Sequence, residues 1–455
     1  MTARRTTVAL ISMLWLASAA IAADAQSSEA WQAQQAAAAT KADGIMAQAN
    51  QHKGLLGQYQ ILHRAYASDD SPAFRLIFGQ YISWYQSFLG DYVDAVKSFS
   101  IGQPLQPGDR PSPLESEGYV AHPAIDAIPD IAKNDQIVLL NEAHNVAMTR
   151  SLTVPLLSRL YAEGFRYFAA ETLVQSDTQL ATRGYPTNDS GFYTEEPVYA
   201  EMIRTALKLG FKVVAYEATS SATSTDAREA EQARHLYESV FAQDPHARLV
   251  INAGYEHIVT SGSYLDGTSM AEHLRKLTGA SMLSIEQTAM YPHPFSKSDH
   301  PYYTQVIKKL QPDAPIVFVD PHGKPWSLRA ANDVTVFFPP ERLDHGRPTW
   351  LSLGGLRSAH LVSAYHCLNH YPCLIEARYA NEGDDAIPAD RVLIDMLPLT
   401  MATTQMQMPI YSSAQGIPSS VLYLRPGHYQ LSFIADGDKT IHRETIEVAE
   451  AKPEP

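Results

Sequence analysis

The chain reads as an α/β protein: a mainly parallel sheet covered by helices, with an N-terminal helical pair and a C-terminal β-rich appendage. Three observations predict this. From about residue 136 to 338, short apolar runs alternate with helical patterns, as successive βαβ units do. The run Ile137-Val138-Leu139-Leu140 is apolar on both faces, which suits a central strand buried under helices on both sides. Beyond about Arg347 the texture changes to short apolar runs separated by turn residues.

Taken in order, the chain opens with Arg4 and Arg5, an apolar stretch from Val8 to Ala17, and small residues. Ala20-Ile21-Ala22 and Ala23-Asp24-Ala25 both offer an A-x-A cleavage pattern. Residues 1–25 are therefore expected to be a secretory signal peptide, too short for a comfortable membrane span. The mature protein is then periplasmic or secreted, with no integral membrane segment.

Residues 26–113 are expected to be helical up to about Phe99. Asp69-Asp70-Ser71-Pro72 breaks the pattern, and Pro72 suits a first helical turn. The aromatic stripe Phe74, Phe78, Tyr81, Tyr85, Phe88 is read as a packing face. Ile101 to Pro113, rich in proline and glycine, is read as a linker.

Residues 114–345 form the α/β core. After the first strand, Thr153 and Pro155 start a helix that stops at Gly164. Phe165 to Ala170 is a strand ending in Glu171, and a polar loop from Gln175 to Glu196 is long enough to be a lid or pocket wall. A helix closed by Gly210 leads to the strand Phe211–Tyr216, which ends in Glu217. A helix from about Thr225 carries Arg228. Arg248 to Ala253 is the fourth strand, followed by Gly254-Tyr255-Glu256-His257. Met282–Ile285, Ile316–Val319 and Val334–Phe338 are further short strands. Residues 346–455 are expected to be β-rich, ending in a meander through Tyr423-Leu424, Tyr429–Phe433 and Ile441–Val448 with an Asp436-Gly437 hairpin.

The formal charge of −14 argues against binding driven by nucleic-acid phosphates or anionic membranes, both of which need basic surface. A small-molecule ligand or substrate is the expected partner. Only two cysteines occur, Cys367 and Cys373. In an oxidising compartment they are expected to form a local disulfide. The rival is a metal site with His366 or His370, but C-x5-C is not a usual zinc spacing.

The chemistry gathers at strand ends. Four consecutive strands each end in ionisable residues: Glu142 with His144, Glu171, Glu217, and Glu256 with His257. In an open α/β sheet the ligand crevice lies beyond the carboxyl ends of the strands, so these groups should converge. An imidazole among carboxylates can act as general base. The same donors suit a divalent metal, with Glu142, His144, Glu171 and His257 as its ligands. Glu256 should point away from the cluster, while Asp320 and His322 either extend it or form an ordinary polar loop. No G-x-S-x-G elbow, P-loop or dinucleotide fingerprint occurs.

These residues also carry a resemblance. N-E-A-H at Asn141–His144, the acid at Glu171, Tyr216-Glu217, R-E-x-x-Q-A at Arg228–Ala233, G-Y-E-H at Gly254–His257 and the helix SMAEHLRKLTG follow one order. Over roughly Gln136 to Ile285 the chain resembles the superfamily of erythromycin esterases, ChaN-type haem-binding lipoproteins and Tiki metalloproteases, although Asn141 stands where that family has glycine. The esterase branch implies His144 as the base that activates water, with Glu142, Glu171 and Glu217 orienting or protonating. Arg228 would then pair with the carboxylates or stabilise an oxyanion, and His257 would be a second base or metal ligand. The other branches imply a non-enzymatic periplasmic site for haem or a metal of ChaN type, or a metal-dependent hydrolase of Tiki type.

Overall fold

In the computed structural model, residues 29–219, 222, 224–395 and 418–450 are described. The expected signal peptide lies outside them. The N-terminal region holds α1 (Glu29–Ala49), α2 (Leu55–Ser68), α3 (Pro72–Phe88) and α4 (Tyr92–Ser98). The first of the two expected helical runs is thus divided, at residues 50–54. The cause is tertiary: Asp438, from the far end of the chain, docks here and accepts a hydrogen bond from Gly57 N–H at 3.0 Å. A Cβ on Gly54 would lie 1.9 Å from the Asp438 carboxyl carbon, so any other residue there would push the Asp438 side chain from this position.

The core follows in alternation: β1 (Val120–Pro123), α5 (Ala124–Ile131), β2 (Ile137–Glu142), α6 (Met148–Ser151), α7 (Thr153–Ala162), β3 (Tyr167–Ala170), α8 (Leu180–Arg183), α9 (Pro197–Leu209) and β4 (Lys212–Val214). Then come α10 (Thr225–Leu236), β5 (Leu249–Gly254), α11 (Met270–Thr278), β6 (Met282–Met290), α12 (Pro301–Leu310), β7 (Ile316–Val319) and β8 (Val334–Phe337). The sheet has eight strands in the order β1-β7-β8-β6-β2-β5-β3-β4. β8, β6, β2, β5, β3 and β4 pair in parallel. β7 runs against β8, and β1 against β7.

Both faces of the sheet are covered, as the apolar runs require. Val138, Leu140, Phe168 and Val250 pack in one core with the N-terminal helices, α7 and α9. Their neighbours Ile137, Leu139, Ala169 and Ile251 pack in a second core with Leu236 of α10 and Met270 and Leu274 of α11. Successive strand residues point to opposite faces, so each strand feeds both cores.

Two strands of this sheet depart from expectation. β7 is antiparallel, so Asp320 and His322 leave the sheet at the edge opposite the carboxyl ends of the parallel strands. Asp320 instead closes an exposed turn, accepting from His322 N–H and Lys324 N–H at 2.8 and 2.9 Å. β1 was not visible as a strand because its side chains are largely exposed and carry no alternation.

The β-rich part contains β9 (Leu343–Asp344), β10 (Arg347–Pro348), β11 (Ser358–Ser363), β12 (Cys373–Tyr379), β13 (Asp390–Ile394), β14 (Ser419–Leu424), β15 (Gly427–Ala435) and β16 (Lys439–Val448). β15 and β16 form the expected hairpin, with Gly437 at φ +70° in its turn. Tyr423-Leu424 does not join a meander: β14 pairs with β11, and β12 takes the place beside β15 in a four-stranded sheet β13-β12-β15-β16. Cys367 and Cys373 are disulfide-bonded. Among the described residues, no helix is long and apolar enough to cross a membrane.

Candidate functional site

The sheet order explains why residues distant in sequence meet. β2, β5, β3 and β4 are spatial neighbours, and Glu142 lies level with Gly254 while Ala170 lies level with Asn252. The carboxyl ends of these four strands therefore bring Glu142, His144, Glu171, Glu217, Arg228 and His257 into one crevice. Glu217 arrives from the coil after β4, because that strand stops at Val214. Glu256 is exposed and points away.

His144 Nδ1 lies 3.1 Å from Glu142 Oε1. The Glu142 carboxylate in turn takes a two-pronged contact from Arg150, with Nε and Nη2 each at 2.7 Å, and a hydrogen bond from Asn252 Nδ2 at 2.8 Å. Arg150 is fully buried and also donates to His144 O at 2.8 Å and to Glu196 Oε2 at 3.1 Å. Glu196 caps the start of α9 and receives Tyr92 O–H from α4 at 2.7 Å. Burial alone would raise the Glu142 pKa, but the Arg150 charge and the hydrogen bonds from His144 and Arg150 bring it down to about 2. Glu142 is therefore a carboxylate at neutral pH and cannot supply a proton. Of the two expected roles it is suited to orienting.

On the other side of the crevice, His257 Nδ1 lies 2.7 Å from Glu229 Oε2, and its Nε2 lies 3.6 Å from Glu171 Oε1. Glu229 also accepts from Met270 N–H at 2.9 Å, which ties it to the first turn of α11. Burial pushes the His257 pKa down, but the Glu229 and Glu171 charges outweigh it and the net shift is upward. Glu171 takes a hydrogen bond from Gly254 N–H and is held below its ordinary pKa: burial opposes this, and the nearby His257, His144 and Arg228 charges overcome it. Arg228 reaches Glu217 Oε1 at 2.7 Å and Glu171 Oε1 at 3.5 Å, and Gln232 donates to the same Glu217 oxygen at 2.9 Å. The crevice opens at Glu217 and Arg228, whose side chains are each 20 % exposed.

Aromatic rings wall the site. Tyr193, from the loop expected to be a lid or wall, stacks on His144 with ring centres 4.0 Å apart, and Tyr255 meets the same ring edge-on at 5.3 Å. Thr172 and Tyr255 adopt left-handed backbone at φ +75° and +44°, immediately after Glu171 and Gly254. Such conformations cost on the order of 1–3 kcal/mol each and cluster where a site must be held in shape.

A cavity of about 1030 Å³ lies beside this crevice, not over it. Asn141, Ala143, Asn145 and Tyr255 line it, whereas Glu142 and His144 serve the crevice. Alternating residues facing opposite ways account for the division. The cavity wall contains none of the paired imidazoles.

As held here, the crevice is a poor fit for a metal or haem. The Glu142 oxygens are committed to Arg150 and Asn252, and a dication at Glu171 would face the Arg228 guanidinium. Among the described residues, the three His and carboxylate ligand atoms close enough to share an ion belong instead to His366, His442 and Glu444. A haem at His144 would need space that the stacked Tyr193 occupies.

Sequence reasoning missed Arg150, Asn252 and Tyr193, and it quoted Glu229 and Gln232 without giving them roles. Arg150 had a signal: a lone cation between Val146-Ala147-Met148 and Leu152, in a stretch otherwise destined for burial. Asn252 was hidden inside an apolar strand.

No protein-family model matches the chain, and no curated protein matches it. Among solved structures, the type III effector HopBA1 aligns at 10% identity over 52% of this chain and 100% of that chain, with a TM-score of 0.30. RRSP, a MARTX toxin effector domain from Vibrio vulnificus CMCP6, aligns at 14% identity over 48% of this chain and 49% of that chain, with a TM-score of 0.27. Likenesses this faint carry no conclusion about activity.

Proposed function

We propose that the protein is an exported hydrolase in which His144 activates water for attack on an ester-type bond of a small molecule. The observation that carries this reading is the pairing of His144 Nδ1 with a carboxylate that Arg150 keeps ionised. That pairing fixes the tautomer and leaves Nε2 to accept a proton, as in other carboxylate–imidazole bases.

Water attacks the ester carbonyl while Nε2 of His144 takes its proton, and Glu142 stabilises the imidazolium that forms. His257, whose pKa Glu229 raises against the effect of burial, donates its Nε2 proton to the departing alkoxide. Arg228 at the mouth opposes the negative charge of the tetrahedral intermediate. Acid and alcohol leave, and solvent exchange returns the two histidines to their starting states. Glu171, 3.6 Å from His257 Nε2, adds to Glu229 in favouring the protonated form of the second imidazole. Export rests on the N-terminal apolar stretch and its A-x-A sites, with support from the Cys367–Cys373 disulfide.

The test is hydrolysis of a panel of 4-nitrophenyl esters by the wild type and by His144→Ala, with far-UV circular dichroism as a check on folding. Removing a general base should lower the rate by roughly 10²–10⁴-fold. A folded variant with wild-type rates would remove His144 from the mechanism.

A further inference from the structure

The C-terminal sheet holds a second cluster of metal-ligating side chains, far from the strand ends in sequence and role. His442 and Glu444 lie two residues apart on β16, so both side chains leave the same face of the strand. His366 reaches that face from the single turn Ala364–Cys367, which the Cys367–Cys373 disulfide ties to the start of β12. The two imidazoles are parallel, with centres 3.8 Å apart and planes 5° apart. Their Nε2 atoms lie 3.8 and 3.9 Å from one and the same oxygen, Glu444 Oε2. Phe433 sets its ring edge-on to both, at 5.5 and 5.4 Å, and closes the apolar side.

Core packing does not account for this arrangement, because the three side chains are 32–37 % exposed. Hydrogen bonding does not account for it either. His442 Nε2 is a buried atom with no hydrogen-bond partner among the described residues, and it faces the other two ligand atoms. A buried polar atom left in that state calls for a partner, and a bound ion beside two further donors would supply it. The donors are two imidazole nitrogens and a carboxylate oxygen, a set typical of zinc sites with three protein ligands and a fourth position for water. Tetrahedral ligands about 2.0–2.1 Å from zinc stand roughly 3.3 Å apart, so each imidazole must close on the Glu444 oxygen by about half an ångström. The stacked rings must also turn out of parallel to aim both Nε2 lone pairs at one ion.

We propose that His366, His442 and Glu444 bind one divalent transition-metal ion of the zinc class. The ion would clamp the disulfide-bonded turn onto the β15–β16 hairpin, independently of the chemistry in the Glu/His crevice.

The experiment titrates untagged mature protein with zinc chloride in competition with a chromophoric chelator. Wild type should take up one equivalent, and zinc should raise its melting temperature. His442→Ala and the turn variant His366→Asn should each lose affinity by more than the roughly 10–100-fold that removing an outer partner costs. Zinc should then leave their melting temperatures unchanged. Because His366 lies on a partly exposed turn, His366→Asn keeps the test valid if His442→Ala does not fold. The crevice variant His257→Ala should keep the equivalent. No zinc uptake by wild type, full affinity in His366→Asn, or loss of the equivalent in His257→Ala would each overturn the proposal.

Discussion

The carboxylate of Glu142 and the imidazole of His144 stand on one side of the chain at the end of β2, with Oε1 3.1 Å from Nδ1. Their i, i+2 spacing makes this pair almost a local property of extended backbone. Its charge state is not local, because it depends on Arg150 from the next helix.

Glu142→Gln keeps the shape of the side chain but removes the charge that steadies a protonated His144. On any ester the wild type hydrolyses, kcat should fall by roughly 10²–10⁴-fold, comparable with loss of the base itself. A kcat near wild type would show that the pairing is structural only.

Arg150→Met should destabilise the fold by about 3–5 kcal/mol, since it leaves Glu142 and Glu196 buried without their cation. Urea denaturation at neutral pH measures this. The sign with pH follows from the depressed Glu142 pKa of about 2. Its contribution is fully present above the unfolded carboxyl value and is lost as pH falls toward 2. The acid-side slope of stability should therefore flatten in Arg150→Met, and an unchanged slope would assign it to other groups.

The His257 pKa is raised, so its stabilising contribution is complete below the ordinary imidazole value and disappears as pH rises through the folded one. If this imidazolium is the acid of the reaction, the rate should fall on the alkaline side of the profile. Glu229→Gln removes the largest of the influences that raise it, so the alkaline limb should move to lower pH. A limb that stays in place would take the proton-donor role away from His257.

Gly254→Ala would put a Cβ 2.4 Å from His144 Cε1 and 3.0 Å from Glu171 Oε2. Either the imidazole or the strand end must move, at a cost of about 1–3 kcal/mol. Activity should drop more than this modest instability explains, as melting temperature and kcat measured on the same preparation would reveal. Wild-type activity would mean that the ring position is not critical.

Reducing the Cys367–Cys373 bridge, six residues apart, should lower stability by about 2 kcal/mol. Denatured, unreduced protein should show no reactive thiol. Two labelled cysteines would rule the bridge out in the isolated protein.

The sequence by itself determined the strands that carry the site and the groups at their ends. The buried strands β2, β3 and β5 must show as apolar runs, and a charged residue just past such a run is conspicuous. The helix boundaries at Gly164 and Gly210 were legible for a similar reason, since each takes positive φ that other residues resist. The β15–β16 hairpin announced itself through its Asp436-Gly437 turn.

Only the tertiary structure decided the rest. The break at Gly54 depends on Asp438, which arrives from the other end of the chain. The direction of β7 depends on its neighbours, and a four-residue apolar run looks the same whichever way it is threaded. That reversal is what removes Asp320 and His322 from the site. The protonation of Glu142 and His257 was likewise beyond the sequence, because it is set by Arg150 and by Glu229, which the fold delivers from separate helices. Charge state is a property of surroundings at a few ångströms, and those surroundings exist only once the sheet order β2-β5-β3-β4 has formed.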